Sequence, residues 1–197
     1  FLKTKKQKLE NMNELILSKL DVGKSSFGIT PNAHGGGFPA ACLQTSVVKV
    51  GNVIETTVLV DLAQGAGAAA GANDVIGTDN VDDAGGAYIA ELSDDVNGVL
   101  FAARYSVIEL PAGGGADIDV VCGSVGTNPH DVAVTDAAIL VNNGTNTLGE
   151  SAFSAAGATI IAGGTNALPF VYLTNVDTTN AAYTAGKLVI TFYGARF

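Results

Sequence analysis

The chain has 197 residues, of which 47% are hydrophobic and 15% charged, with 25 glycines and a formal net charge of -9. That hydrophobic content supplies a core and excludes a disordered chain, and the length suits one domain with an appendage better than two full domains. Residues 1–24 carry six of the ten Lys and Arg residues against Glu10, Glu14 and Asp21, a local +3 that leaves -12 on the remainder; so acidic a body repels nucleic-acid phosphates and excludes that class of partner.

The first element is an arm, residues 1–24. Lys3, Lys5, Lys6 and Lys8 open it, and Leu9, Met12, Ile16 and Leu20 follow at spacings of three, four and four, the single apolar stripe of a helix. Gly23 supplies a stop. The lysines read either as a solvated face or as a docking surface, and the stripe needs burial on the body, on a neighbouring copy or on another protein. Glu10, Asn11, Asn13, Glu14 and Ser18 interrupt the apolar run that a signal peptide requires. No apolar run reaches the ~20 residues of a membrane-spanning helix, so no membrane partner is expected.

Residues 25–44, rich in Gly and Pro (SSFGITPNAHGGGFPA), read as a linker. From about Thr45 the period becomes two, and the predicted domain is 45–197. In VIETTVLVDL, Ile54, Thr56, Val58, Val60 and Leu62 share one face, while Val53, Glu55, Thr57, Leu59 and Asp61 share the other. The preceding SVVKV joins it through Gly51-Asn52 as a β-hairpin. AQGAGAAAGAND (63–74) reads as a surface loop or a close-packed subunit contact.

Further strands are predicted at 87–92, 99–110, 117–122, 137–141, 158–161, 170–176 and 187–194, separated by turn-forming segments such as SDDVNG and PAGGGA. Short strands at this spacing, without alternating helices, predict an all-β fold: an antiparallel β-sandwich or barrel.

Candidate chemistry is sparse. Cys42 and Cys122 lack metal or redox spacing and read as buried free thiols, or as one disulfide if the chain matures in an oxidising compartment. His34 and His130 are the available bases for a nucleophile, and neither stands near a cysteine in sequence. Asp117 and Asp119 share a strand face in the manner of an acid/base pair, but with Ile118, Val120 and Cys122 facing the core they read more simply as the solvated side. Asp74, Asp79, Asp82 and Asp83 could offer oxygens to a hard cation, without the EF-hand spacing, and read otherwise as solvated turn residues. Asn143-Gly-Thr145 fits a glycosylation acceptor. No catalytic, cofactor or metal site is assigned.

The series VIETTVLVDL, DVIG, GGAYIAEL, VLFAARYSVIELPAGGGADIDVV and AYTAGKLVITFYG, from Thr45 to Gly194, resembles β-rich virion structural proteins of tailed bacteriophages, particularly the small capsid decoration or cement proteins of marine phages. The resemblance implies a jelly-roll-like sandwich on the outside of an icosahedral shell, often a homotrimer, that clamps major capsid protein subunits without a cofactor or a reaction. The arm lies outside the resembling region. From charge and periodicity alone, Lys3, Lys5, Lys6, Lys8, Leu9, Met12, Ile16 and Leu20 are its expected partner-binding residues. A different expectation is a carbohydrate-binding or host-adhesion module, for which Tyr183, in a predicted loop, is the one obvious exposed aromatic. A depolymerase or lyase using Asp117, Asp119 and His130 is a further class to test.

Overall fold

A computed structural model describes residues 34–67, 71–78, 86–141, 147–149, 151–153, 161–162, 165–179 and 181–196. The arm therefore lies outside the described residues, as do Asp79, Asp82, Asp83, Asn143 and residues 158–160 of a predicted strand.

The strands in chain order are β1 (Leu43–Val50), β2 (Val53–Asp61), β3 (Asp74–Val75), β4 (Ala90–Glu91), β5 (Val99–Ala112), β6 (Ile118–Gly123), β7 (Ala138–Val141), β8 (Ser151–Phe153), β9 (Ile161–Ala162), β10 (Thr165–Asn166), β11 (Phe170–Asn175) and β12 (Ala185–Ala195). The first sheet runs β1-β2-β12-β5-β8, and the second runs β3-β11-β6-β7 with β4 also paired to β11. All these pairings are antiparallel. The protein is an antiparallel β-sandwich with one short helix.

β1 and β2 form the predicted hairpin, with Val50 opposite Val53. Gly51 has φ +62 and Asn52 does not share the positive sign, the pattern of a type II′ turn, which places glycine at its first central position. The face assignment for β2 holds at every residue: Ile54, Thr56, Val58, Val60 and Leu62 are all buried. On β1 the inward positions are Leu43, Thr45, Val47 and Lys49, the last opposite Ile54; a lysine thus stands on the core side of an edge strand.

Between the sheets, Val58 and Val60 of β2, Tyr105 and Val107 of β5, and Leu188, Ile190 and Phe192 of β12 meet Ile118, Val120 and Cys122 of β6 and Val171 and Leu173 of β11. Each large side chain fully buried there contributes about 1.5–3 kcal/mol. The second sheet is also covered on its far side, where Val121 and Tyr172 pack with Val75, Ala87 and Val134, flanked by Tyr88 and Phe170. Tyr88 meets the rings of Phe170 and Tyr172 edge-on at centroid distances of 5.1 and 6.2 Å.

SDDVNG forms a one-turn helix, α1 (Asp94–Asn97), where a turn is predicted. The Ser93 hydroxyl accepts from the Val96 N–H, and the Asn97 side chain accepts from the Ser93 N–H at 2.8 Å, a reciprocal cap that satisfies the free amides of the first turn. Asn97 then donates to the Thr56 hydroxyl at 2.6 Å inside the core. Gly194 lies against this turn, and a β-carbon there would collide with the Asn97 carbonyl oxygen.

The expected linker is corrected over its described part. Phe38 and Cys42 are buried, the Gly35 and Gly37 amides donate to the Tyr88 and Gly86 carbonyls at 2.8 Å, and a 3-10 turn (Ala40–Cys42) leads into β1, which starts at Leu43. Glycine here permits close backbone approach instead of slack. Part of the expected surface loop also belongs to the body: Ala66 is buried, and Gly67 bridges both Gly77 and Ala182.

Candidate functional site

The catalytic candidates do not converge. Asp119, expected on the solvated side, is 1% exposed: the face of β6 it shares with Val121 is covered, with Ala87 and Val134 packed there beside Val121. Alternation predicts which residues share a face and cannot predict that both faces are covered. Asp117 precedes β6, and its backbone N–H and that of Ala116 donate to the Asp177 carboxylate at 3.2 and 2.9 Å. Burial, and secondarily the charge of Asp177, holds the Asp117 carboxyl above the usual carboxylate range. His130 lies instead beside Gly67 and Gly77. His34 is exposed, its Nδ1 3.1 Å from the Gly35 carbonyl oxygen.

Both cysteines are free and buried. Burial pushes the Cys42 thiol up to about 11 and the Cys122 thiol up to about 12, which removes the thiolate that nucleophilic or metal chemistry needs. Asp74 pairs with Asn175 through β3. Among the described residues no three His, Cys, Asp or Glu side chains group as metal ligands. Tyr183 corrects the sugar-platform expectation: it is 4% exposed and its hydroxyl donates to the Gly115 carbonyl at 3.0 Å, so its ring offers no face to a glycan.

Two surface features remain. One is an open cleft of about 410 Å³ lined by Glu91, Leu92, Ser93, Asp94, Asp95 and Pro169, acidic because α1 opens with two aspartates beside β4.

The other is the outer face of the first sheet. The register aligns Val48 of β1 with Glu55 of β2 and Tyr193 of β12, and Val50 with Val53 and Ala195. A shift in the β5–β12 pairing between Tyr193 and Gly194 leaves Phe101 as an extra residue between Leu100 and Ala102, the signature of a β-bulge. The Phe101 ring packs on Tyr193 with centroids 6.4 Å apart. Val48, Val50 and Phe101 are 47%, 66% and 42% exposed. Farther along β5, Ile108 and Leu110 are exposed as well, beside Lys187, whose ammonium is 2.6 Å from Glu109 and 3.8 Å from Asp61. This apolar band crosses the four strands β1, β2, β12 and β5, with Glu55 as an exposed carboxylate inside it.

Sequence reasoning passed over the band although it left a signal. Val53 and Leu59 fall on the face of β2 opposite the core residues, and apolar side chains on an outward face mark a contact surface more than a solvated one.

No family model, curated protein or solved structure matches the chain. The described residues define an antiparallel β-sandwich in which the outer face of the first sheet exposes Val48, Val50 and Phe101.

Proposed function

We propose that the protein is a non-enzymatic structural component of a virion, a decoration protein on the capsid surface that reinforces an icosahedral shell by clamping major capsid protein subunits, with copies of itself as neighbours in a homotrimer. The observation that carries this reading is the exposure of Val48, Val50 and Phe101, with the half-buried Tyr193, on the outer face of the first sheet. Apolar side chains clustered on an outer face, here around the Glu55 carboxylate, mark a protein-contact surface. The basic arm, with Lys3, Lys5, Lys6, Lys8, Leu9, Met12, Ile16 and Leu20, supplies a second grip: its positive charge steers it to an acidic neighbour, and tethering makes its binding effectively intramolecular. The resemblance of the strand series to phage decoration proteins gives the shell as the object gripped.

Cryo-electron microscopy of particles that carry the chain tests this directly. A regular outer layer of sandwich-shaped density over the shell is the expected result. Density confined to a tail, or none on the particle, overturns it. Deleting residues 1–24 is expected to lower shell occupancy while the body stays folded.

A further inference from the structure

The outer face of the second sheet changes character along its strands. Tyr172 stands opposite Val121, and the next row of that face places Val75, Thr174 and Asp119 side by side on β3, β11 and β6. Asp117 continues the ladder beyond β6, because its carbonyl accepts from the Val176 N–H. Asp117 and Asp119 therefore share the face, and Asp177 brings a further carboxylate to the Ala116 and Asp117 amides.

Two oxygens here lack partners. Thr174 is 2% exposed, yet its hydroxyl makes no hydrogen bond, a state that destabilises a fold unless something else binds the group. The Asp117 Oδ1 is enclosed and likewise has no hydrogen-bond partner. The sheet supplies no basic side chain among the described residues: Lys49, Arg104 and Lys187 lie on β1, β5 and β12 of the first sheet, and Arg196 follows β12.

We infer that Asp117, Asp119 and Thr174 hold a divalent hard cation of the calcium type on the outer face of the second sheet, with a carboxylate oxygen from each aspartate, the Thr174 hydroxyl and water as its ligands.

Opposite residues of an antiparallel pair hold their Cβ atoms about 4.5–5.5 Å apart, and residues two apart on a strand are about 7 Å apart. One ion at about 2.3–2.6 Å from each oxygen is within reach of all three side chains. The donors are oxygens without a thiolate or an imidazole, which selects calcium or magnesium over zinc or copper. Their placement follows the sheet register and not an octahedron, which suits the larger, more tolerant calcium ion. The positive charge also offsets the two influences that raise the Asp117 carboxyl, its burial and the charge of Asp177. Because no three acidic or imidazole side chains group here, the expected affinity is that of a weak site, with a Kd of about 0.1–1 mM.

The test uses the full chain stripped with EDTA and then given calcium at about 10 mM, with ionic strength matched by NaCl and thermal unfolding at pH 7 as the readout. A rise in Tm of about 3 °C or more is expected. Thr174→Val keeps the shape and removes the hydroxyl, so in EDTA it is expected to be at least as stable as the parent, while its calcium affinity falls about tenfold. Asp117→Asn is expected to be more stable than the parent in EDTA and to lose that advantage in calcium. Terbium gives a second readout, since Tyr172 stands two residues from Thr174 on the same face: emission on tyrosine excitation, displaced by calcium and weakened in Thr174→Val, is expected. A Tm that calcium leaves unchanged overturns the inference and leaves water as the partner of these oxygens. A calcium shift retained in full by both variants overturns it as well, because the ion then binds elsewhere. None of these readouts involves a shell or the first sheet, so the function proposed above stands or falls separately.

Discussion

Tyr172 and Val121 on the second sheet point away from the central core and are nevertheless 0% and 4% exposed, whereas Val48 and Val50 on the first sheet point outward and are 47% and 66% exposed. The strands themselves do not account for this. β11 and β2 have similar apolar content, and both sit inside their sheets. What differs is the chain between strands. The segments holding Ala87, Tyr88 and Val134 fold over the second sheet and form a second small core, while among the described residues no comparable segment lies over β1, β2 and β12. The outer side of β6 and β11 is thus covered by other parts of the described chain, while the outer side of β1 stays exposed at Val48 and Val50.

Charge separates the two faces most sharply. Val121→Asp puts a carboxylate into the second small core, and a loss of about 3 kcal/mol or more in urea unfolding is expected. Val48→Asp, at the same outward orientation on the first sheet, is expected to shift stability by about 0.5 kcal/mol or less. Equal losses would show that the first sheet is as fully covered as the second.

The aromatic pair sharpens the same contrast. Tyr172→Ala removes a fully buried ring and its hydroxyl, which donates to the Val125 carbonyl at 2.5 Å, and is expected to cost about 3–5 kcal/mol by thermal or chemical denaturation. Tyr193→Ala removes a half-buried ring that packs on Phe101 and is expected to cost about 1 kcal/mol or less.

The smallest effect concerns the entrance to β6. Burial raises the Asp117 carboxyl above its ordinary value of 3.8, so the folded chain holds this proton more tightly than the unfolded chain. Its contribution to stability is therefore greatest below that value and is lost as pH rises through the raised folded value. Asp117→Asn is expected to unfold at a higher temperature than the parent at pH 7, with the difference closing as pH falls below 3.8. A parent that stays less stable by the same margin at both pH values would remove the carboxyl charge as the cause.

Much of the sandwich is legible in the sequence, because period-two alternation is a local signal. Every inward residue assigned on β2 is buried, and the Gly51-Asn52 turn falls between β1 and β2. What escapes is set by partners distant in the chain. Asp119 reads as solvated because the residues that cover this face of the sheet, Ala87 and Val134 among them, come from segments distant in the chain. Phe38 reads as linker because the glycines before it look permissive, when the backbone of Gly35 and Gly37 is hydrogen-bonded to Tyr88 and Gly86. The apolar outer face of the first sheet is legible only as Val53 and Leu59 on the outward side of β2, and Phe101 joins it through a bulge that no alternation rule foresees. The partner-binding residues named for the arm lie outside the described residues and rest on charge and period alone.

Lys49 bears on what can pair with the open edge of β1. β1 is the long edge strand of the first sheet, and another strand pairing along it would extend the sheet past an ammonium on the core side. That group reaches water only while the edge stays open, so a continuous ribbon of subunits joined strand to strand would trap it in a dry seam. A charge on the inward side of an edge strand disfavours the addition of a further strand, so Lys49 guards the open edge of β1 against open-ended pairing.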